Sequence, residues 1–311
     1  MGSSGYGHTA IYTPSGTTNV GSWVQGPDIP SGRAMPDAAA CMMVNGKILL
    51  AAAQAPDAST EFYAPTYFYE YDYTVGATGS FAQVASPTGG LSDNIKSYQA
   101  IMLALPDGNV LYSDFSRQLY VYTPTSGPLA AGKPTIYGVT PNGDGSYHVT
   151  GTLFNGISEG ASYGDDAQMD TDYPLIRLTD SGGNVSYARS YNWSSTSVMT
   201  GGTTVSTEFT GQGFGIFPGN YSLQVVANGI ASDPVAFSGP VWVDFTYTSF
   251  FGFYFGTYNY PYNTMASGIS AVTSGGTINI KPGTSMETFP NITKAMEVRA
   301  IGGAAKIGAG H

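Results

Sequence analysis

The sequence predicts a mainly β chain built from several small units. Forty-two Gly and 19 Pro supply turns throughout the 311 residues. Aromatic residues make up 13% of the chain, and they fall in short alternating runs bounded by Gly, Asn, Asp or Pro, which is a strand pattern. A chain of this length accommodates two or three domains of about 100 to 200 residues each.

The first unit, residues 1–133, is a repeat. "DAAACMMVNGKILLAAA" and "SYQAIMLALPDGNVLYSD" each read as strand, turn, strand, with Asn45-Gly46 and Asp107-Gly108 at the turns. Asn-Gly and Asp-Gly are strong hairpin signals because both central residues must accept positive φ. A tyrosine-rich strand follows each hairpin, "TYFYEYDY" after the first and "QLYVYTP" after the second. This order of strands is that of propeller blades. The opening "GHTAIYTP" matches "LYVYTP", and "SWVQGPDIP" after it resembles the outer strand of a kelch-type repeat, giving about two and a half blades where closed propellers hold about 4 to 8.

"TSGPLAAGKP" reads as a linker. Beyond it, residues 134–238 carry six strand patterns, "PTIYGVTP", "SYHVTGTLF", "YPLIRLT", "VSYARSYNW", "TVSTEFT" and "GNYSLQVVANG", as expected for an immunoglobulin-like β-sandwich of about 100 residues. The third unit, residues 239–311, opens with an aromatic run. "YNTMASGISAVTSGG" then sets Met265, Ile269 and Val272 at helical spacing before a Gly-Gly stop. "TINIKPG", "ITKAMEVRAIGG" and "AAKIGAGH" follow as short strands with glycine corners. A capping helix before such strands resembles the entrance of a right-handed parallel β-helix of the pectate-lyase type.

Blades followed by an immunoglobulin-like domain resemble the galactose oxidase and glyoxal oxidase family of copper radical enzymes. The resemblance spans about residues 5–238 and includes "GTLFNGISEGASYGDDAQMDTDYPLIRLT". It implies a copper-binding His before the apolar strand, but Tyr163, Gly164, Asp165 and Asp166 stand there, and the three histidines are His8, His148 and His311. It also implies a Tyr cross-linked to a Cys, and the single cysteine, Cys41, lies in an apolar strand with no such arrangement. The scaffold is therefore expected without the oxidase chemistry, and copper is not expected. Phosphate loops and paired histidines at metal spacing are absent from the sequence.

Six of the 21 acidic residues crowd into 158–180. Asp165, Asp166, Asp170 and Asp172 offer oxygen ligands for a Ca2+ ion, although their spacing is not that of an EF-hand. A solvated acidic loop is the leading reading, with calcium second and a catalytic carboxylate pair third. "TSFFGFYFGTYNYPYNT" contains Phe250, Phe251, Phe253, Tyr254, Phe255, Tyr258 and Tyr260. Such a row either packs between domains, the leading reading, meets another subunit, or stacks on glycan rings.

A net charge of −10, with 11 basic residues scattered singly, provides no stripe for phosphates, so nucleic acid is not an expected partner. The low share of charged residues, 10%, with abundant Ser, Thr, Tyr and Asn fits an extracellular or cell-surface bacterial protein. No run approaches the about 18 apolar residues of a membrane span. "MGSSGYGHTAIYTPSG" contains no signal-peptide pattern. The expected function is a non-enzymatic surface, adhesive or structural module that assembles with copies of itself or other subunits through open repeat ends; the alternative is a carbohydrate-active enzyme.

Overall fold

The computed structural model describes residues 7–13, 15, 19–157, 173–213, 215–288 and 291–308. It is mainly β, and one of its sheets curls into a half-barrel.

Near the start, β1 (Ala10–Thr13) and β2 (Ser22–Gln25) form an antiparallel pair. A larger antiparallel sheet follows, made of β3 (Arg33–Ala34), β4 (Ala40–Met42), β5 (Ile48–Gln54), β6 (Tyr67–Asp72) and β7 (Ser80–Val84). Strands β3 and β4 share one edge of β5, and β6 and β7 continue the sheet on the other side. The third sheet runs β8 (Ile101–Ala104), β9 (Val110–Ser113), β10 (Leu119–Tyr122). The two expected Asn-Gly and Asp-Gly turns join β4 to β5 and β8 to β9, and both Gly46 and Gly108 have positive φ.

Alternation along β6 decides how these sheets stack, because successive side chains point to opposite faces. Tyr69 and Tyr71 lie in a core with Ile29, Leu50 and Ala52, against which Ile11 of β1 packs. Phe68 lies in a separate core with Cys41, Met43, Leu49, Met102, Val110 and Tyr112, between this sheet and the β8–β10 sheet. The hairpin β1–β2 and the β8–β10 sheet thus occupy opposite faces of the middle sheet.

An eight-stranded antiparallel sheet comes next: β11 (Thr135–Pro141), β12 (Ser146–Thr152), β13 (Leu175–Asp180), β14 (Val185–Tyr191), β15 (Val205–Thr210), β16 (Gly219–Ala227), β17 (Ile230–Ala231) and β18 (Val235–Gly239). All six expected strands of this region are present. They are linked into one continuous curled sheet, because β14 pairs with β13 through Val185–Arg189 and with β15 through Ser190 and Tyr191. The concave side holds Tyr147, Val149, Phe154, Ile176, Leu178, Phe209, Leu223 and Val225.

The last part contains parallel pairings. Strand β19 (Val241–Val243) pairs with β20 (Thr277–Ile280), which pairs with β22 (Glu297–Ala300); β21 (Gly283–Ser285) pairs with β23 (Ala305–Ile307). Helix α1 (Met265–Ala271) covers their open end, burying Met265, Ile269 and Val272 against Val241, Val243, Ile278 and Ile280. Its N-cap is Thr264, and the Glu287 carboxylate accepts hydrogen bonds from the Met265 and Ala266 amides at 2.7 and 3.3 Å. Those amides have no partner within the helix, so a remote carboxylate is a suitable cap.

Candidate functional site

The aromatic run lies in the connection between β19 and α1 and is a loop. Glycines break it: Gly252 and Gly256 have φ of +75° and +69°. The side chains divide into two groups. Phe250 and Phe251 are 92% and 74% exposed, and Phe253 is also exposed. Their rings form a chain, with centroids 4.8 Å apart for Phe250 and Phe251, 6.2 Å for Phe251 and Phe253, and 5.7 Å for Phe253 stacked on Phe255.

Phe255 carries the chain inward to Phe217 and Tyr260. Tyr254 packs edge-on to Tyr247. Tyr258 stands edge-on to Trp242 at 4.8 Å and holds the Lys281 ammonium 4.1 Å from its ring centre. Lys281 also donates to the Tyr258 carbonyl at 3.0 Å, and partial burial lowers its pKa although Asp244 opposes the shift. Across the boundary with the half-barrel, Tyr258 fits over Gly145, where a Cβ would lie 2.4 Å from the ring. One end of the run therefore joins two parts of the molecule, and the other offers bare phenyl rings to solvent.

The three N-terminal sheets present a second set of surfaces. On β8–β10, Leu103, Leu111 and Val121 lie in register across the sheet, on the face away from Met102, Tyr112 and Tyr120. Leu119 and Val121 are 55% and 57% exposed, and Leu103 is exposed as well. At the other end of the stack, Tyr12 and Trp23 form a ring pair 5.0 Å apart, with Trp23 69% exposed.

Between the middle sheet and β10 lies a cavity of about 480 Å3, lined by Phe68, Val84, Met102, Tyr112, Tyr120 and Tyr122 among others. Close by, the Tyr122 hydroxyl donates to buried Glu70 at 2.7 Å, and Lys47 donates to the other Glu70 oxygen at 3.4 Å. Burial, together with the bond to Glu70, pushes the Tyr122 phenol well above its ordinary range, so it stays a donor. Tyr112 is raised further, by burial and by the charge of Asp93. Sequence reasoning passed over this cluster. Its signal was the lone Glu inside "TYFYEYDY".

Asp165, Asp166, Asp170 and Asp172, and the Tyr163–Asp166 positions to which the resemblance assigns a copper ligand, lie outside the described residues, as does His311. Cys41 is buried in β4. His148, on β12, has Nδ1 4.0 Å from Glu208. Among the described residues, no group of three or more His, Cys, Asp and Glu side chains is placed to hold a metal ion, and no helix is long and apolar enough to cross a membrane. Compared with known protein families and with curated protein sequences, the chain matches none.

Proposed function

We propose that this chain is a non-enzymatic contact module of the bacterial cell surface, made of propeller-type blades, an immunoglobulin-like domain and a β-helix entrance, whose copies join through the open ends of the blade repeat. One observation carries the reading. The two ends of the stack of N-terminal sheets expose apolar groups of the kind that are buried between those sheets: Leu103, Leu119 and Val121 at one end, Tyr12 and Trp23 at the other.

Contiguous exposed apolar patches mark interaction sites more often than isolated apolar residues do. The ends differ from each other, so contact between copies is head to tail and extends into a ring or a filament according to the rotation per copy. The Phe250–Phe253 loop supplies a further adhesive point toward other subunits or glycans. A low share of charged residues and abundant hydroxyl side chains support the surface location.

Sedimentation velocity from low to high micromolar concentration tests the reading. The expected result is a species that grows with concentration and returns to monomer in the Leu119→Lys, Val121→Lys double variant. A monomer at every concentration overturns it.

A further inference from the structure

The three N-terminal sheets are versions of one unit, and among the described residues the third lacks the outer strand that the other two carry. In the middle sheet, β6 is followed by an outer strand, β7, with Tyr71 opposite Phe81 and their rings 4.7 Å apart. In the first unit, β1 is followed by β2, with Tyr12 opposite Trp23 and their rings 5.0 Å apart. The outer strands share a sequence pattern, Ser80-Phe81-Ala82-Gln83 in one and Ser22-Trp23-Val24-Gln25 in the other. The third unit has the inner partner of such a pair: Val121-Tyr122-Thr123-Pro124 repeats Ile11-Tyr12-Thr13-Pro14. Among the described residues, β10 pairs only with β9, so its other edge is open and no outer strand faces Tyr122.

The cavity of about 480 Å3 lies beside that edge, walled by Val84, Ala85 and Pro87 and by Tyr120 and Tyr122. Tyr122 points into it, as Tyr71 points toward the ring of Phe81. It is thus placed to take the aromatic side chain of an absent outer strand. An open edge with an adjoining pocket is the geometry of strand addition, in which the backbone ladder gives affinity and alternate side chains give specificity.

We propose that β10 takes β2 of a second copy as its outer strand, the strand leaving β1, with Trp23 opposite Tyr122, Val24 opposite Val121 and the indole in the cavity. This is a more specific form of the self-association proposed above, and it rests on that reading. Three observations select the occupant. Strand β2 carries the required Ser-aromatic-aliphatic-Gln sequence, and all four of its residues are exposed. It is held by one partner in a two-stranded pair, an arrangement of marginal stability. The β2 of the same copy is on the wrong side: its hairpin packs on the Tyr69 and Tyr71 face of the middle sheet, and the cavity is on the Phe68 face. Exchange replaces one strand pairing by another and moves Trp23 from solvent to an apolar pocket, so burial of the indole drives it.

Two single variants, Val24→Cys and Val121→Cys, are mixed and oxidised mildly. Both positions are at least half exposed, and native Cys41 is buried. The register places the two new thiols on directly opposite residues, within disulfide reach. Cross-linked dimer is expected at several times the yield obtained with Val20→Cys in place of Val24→Cys. Adding Ala85→Phe to the Val121→Cys chain, which fills the mouth of the cavity, is expected to cut the yield at least fivefold without changing the melting temperature. Equal yields from Val20→Cys and Val24→Cys, or no cross-linked dimer, overturn the exchange. Sedimentation separates the two ideas: association without the register-specific cross-link overturns only the exchange, whereas a strict monomer overturns the reading beneath it.

Discussion

Glu70 sits in an aromatic strand with its carboxylate almost wholly buried, and two donors hold it there, the Tyr122 hydroxyl and the Lys47 ammonium. A buried charge is tolerated when its hydrogen bonds are made, and removing one partner leaves the desolvation cost in place. Tyr122→Phe removes a single oxygen from this cluster and is expected to lower stability by about 1 to 2 kcal/mol. Urea unfolding at neutral pH measures it, and a midpoint unchanged from the parent would show that the bond contributes nothing. The cluster was only half legible in the sequence. A Glu between aromatics signals a buried charge, but Tyr122 lies 52 residues away and belongs to a different sheet.

At the scale of elements, the strand patterns were legible because period-two alternation and turn residues are local. All six expected strands of 134–238 formed, and helix α1 formed where Met265, Ile269 and Val272 recur. Pairing partners were not legible, since alternation along "VSYARSYNW" fixes which side chains share a face and leaves open that β14 joins β13 to β15. The path of the aromatic run was not legible for a related reason. Its rings alternate well enough for a strand, yet Gly252 and Gly256 turn the backbone through positive φ; at Gly256 a Cβ would meet the Tyr262 ring at 2.5 Å. The loop's two halves should therefore respond differently to mutation. Phe250→Ser with Phe251→Ser is expected to change stability by no more than about 0.5 kcal/mol, because both rings are in solvent. Tyr258→Ala is expected to cost about 2 kcal/mol, since it strips contacts from Trp242 and Lys281. Thermal melts of the two variants check the contrast; a larger loss from the phenylalanine pair would mean that those rings are packed.

Over the whole molecule, a recurring turn couples stability to acid. Asp57, Asp72, Asp114, Asp144 and Asp180 each accept hydrogen bonds from residues just after them in the chain, at Ser59, Thr74, Ser116, Ser146 and Asn184, and these bonds hold all five carboxyls below their ordinary range. A folded-state pKa below the unfolded value contributes stability that is complete above the unfolded value, about 4, and is lost as the pH falls through the folded one. The melting temperature is therefore expected to be level from neutral pH down to about 5 and to fall steadily below about 4. Calorimetry across that range reads the effect, and a flat profile down to pH 2 would contradict it. The same turns explain why acidic residues at strand ends need not form a site: each carboxylate already accepts from the backbone or side chain of a residue just after it.

Helix α1 has seven residues and leans on a carboxylate that comes much later in the chain. A helix this short is marginal on its own. Its first amides find their acceptor in Glu287, and Ile278 and Ile280 beneath it also lie downstream. During synthesis, then, the segment that closes this end of the molecule leaves the ribosome before Glu287 and the downstream half of its floor exist, and it must wait for the strands after it to arrive. The aromatic loop just ahead of it waits too, with its phenyl rings bare, in the interval when a nascent chain is most open to wrong partners.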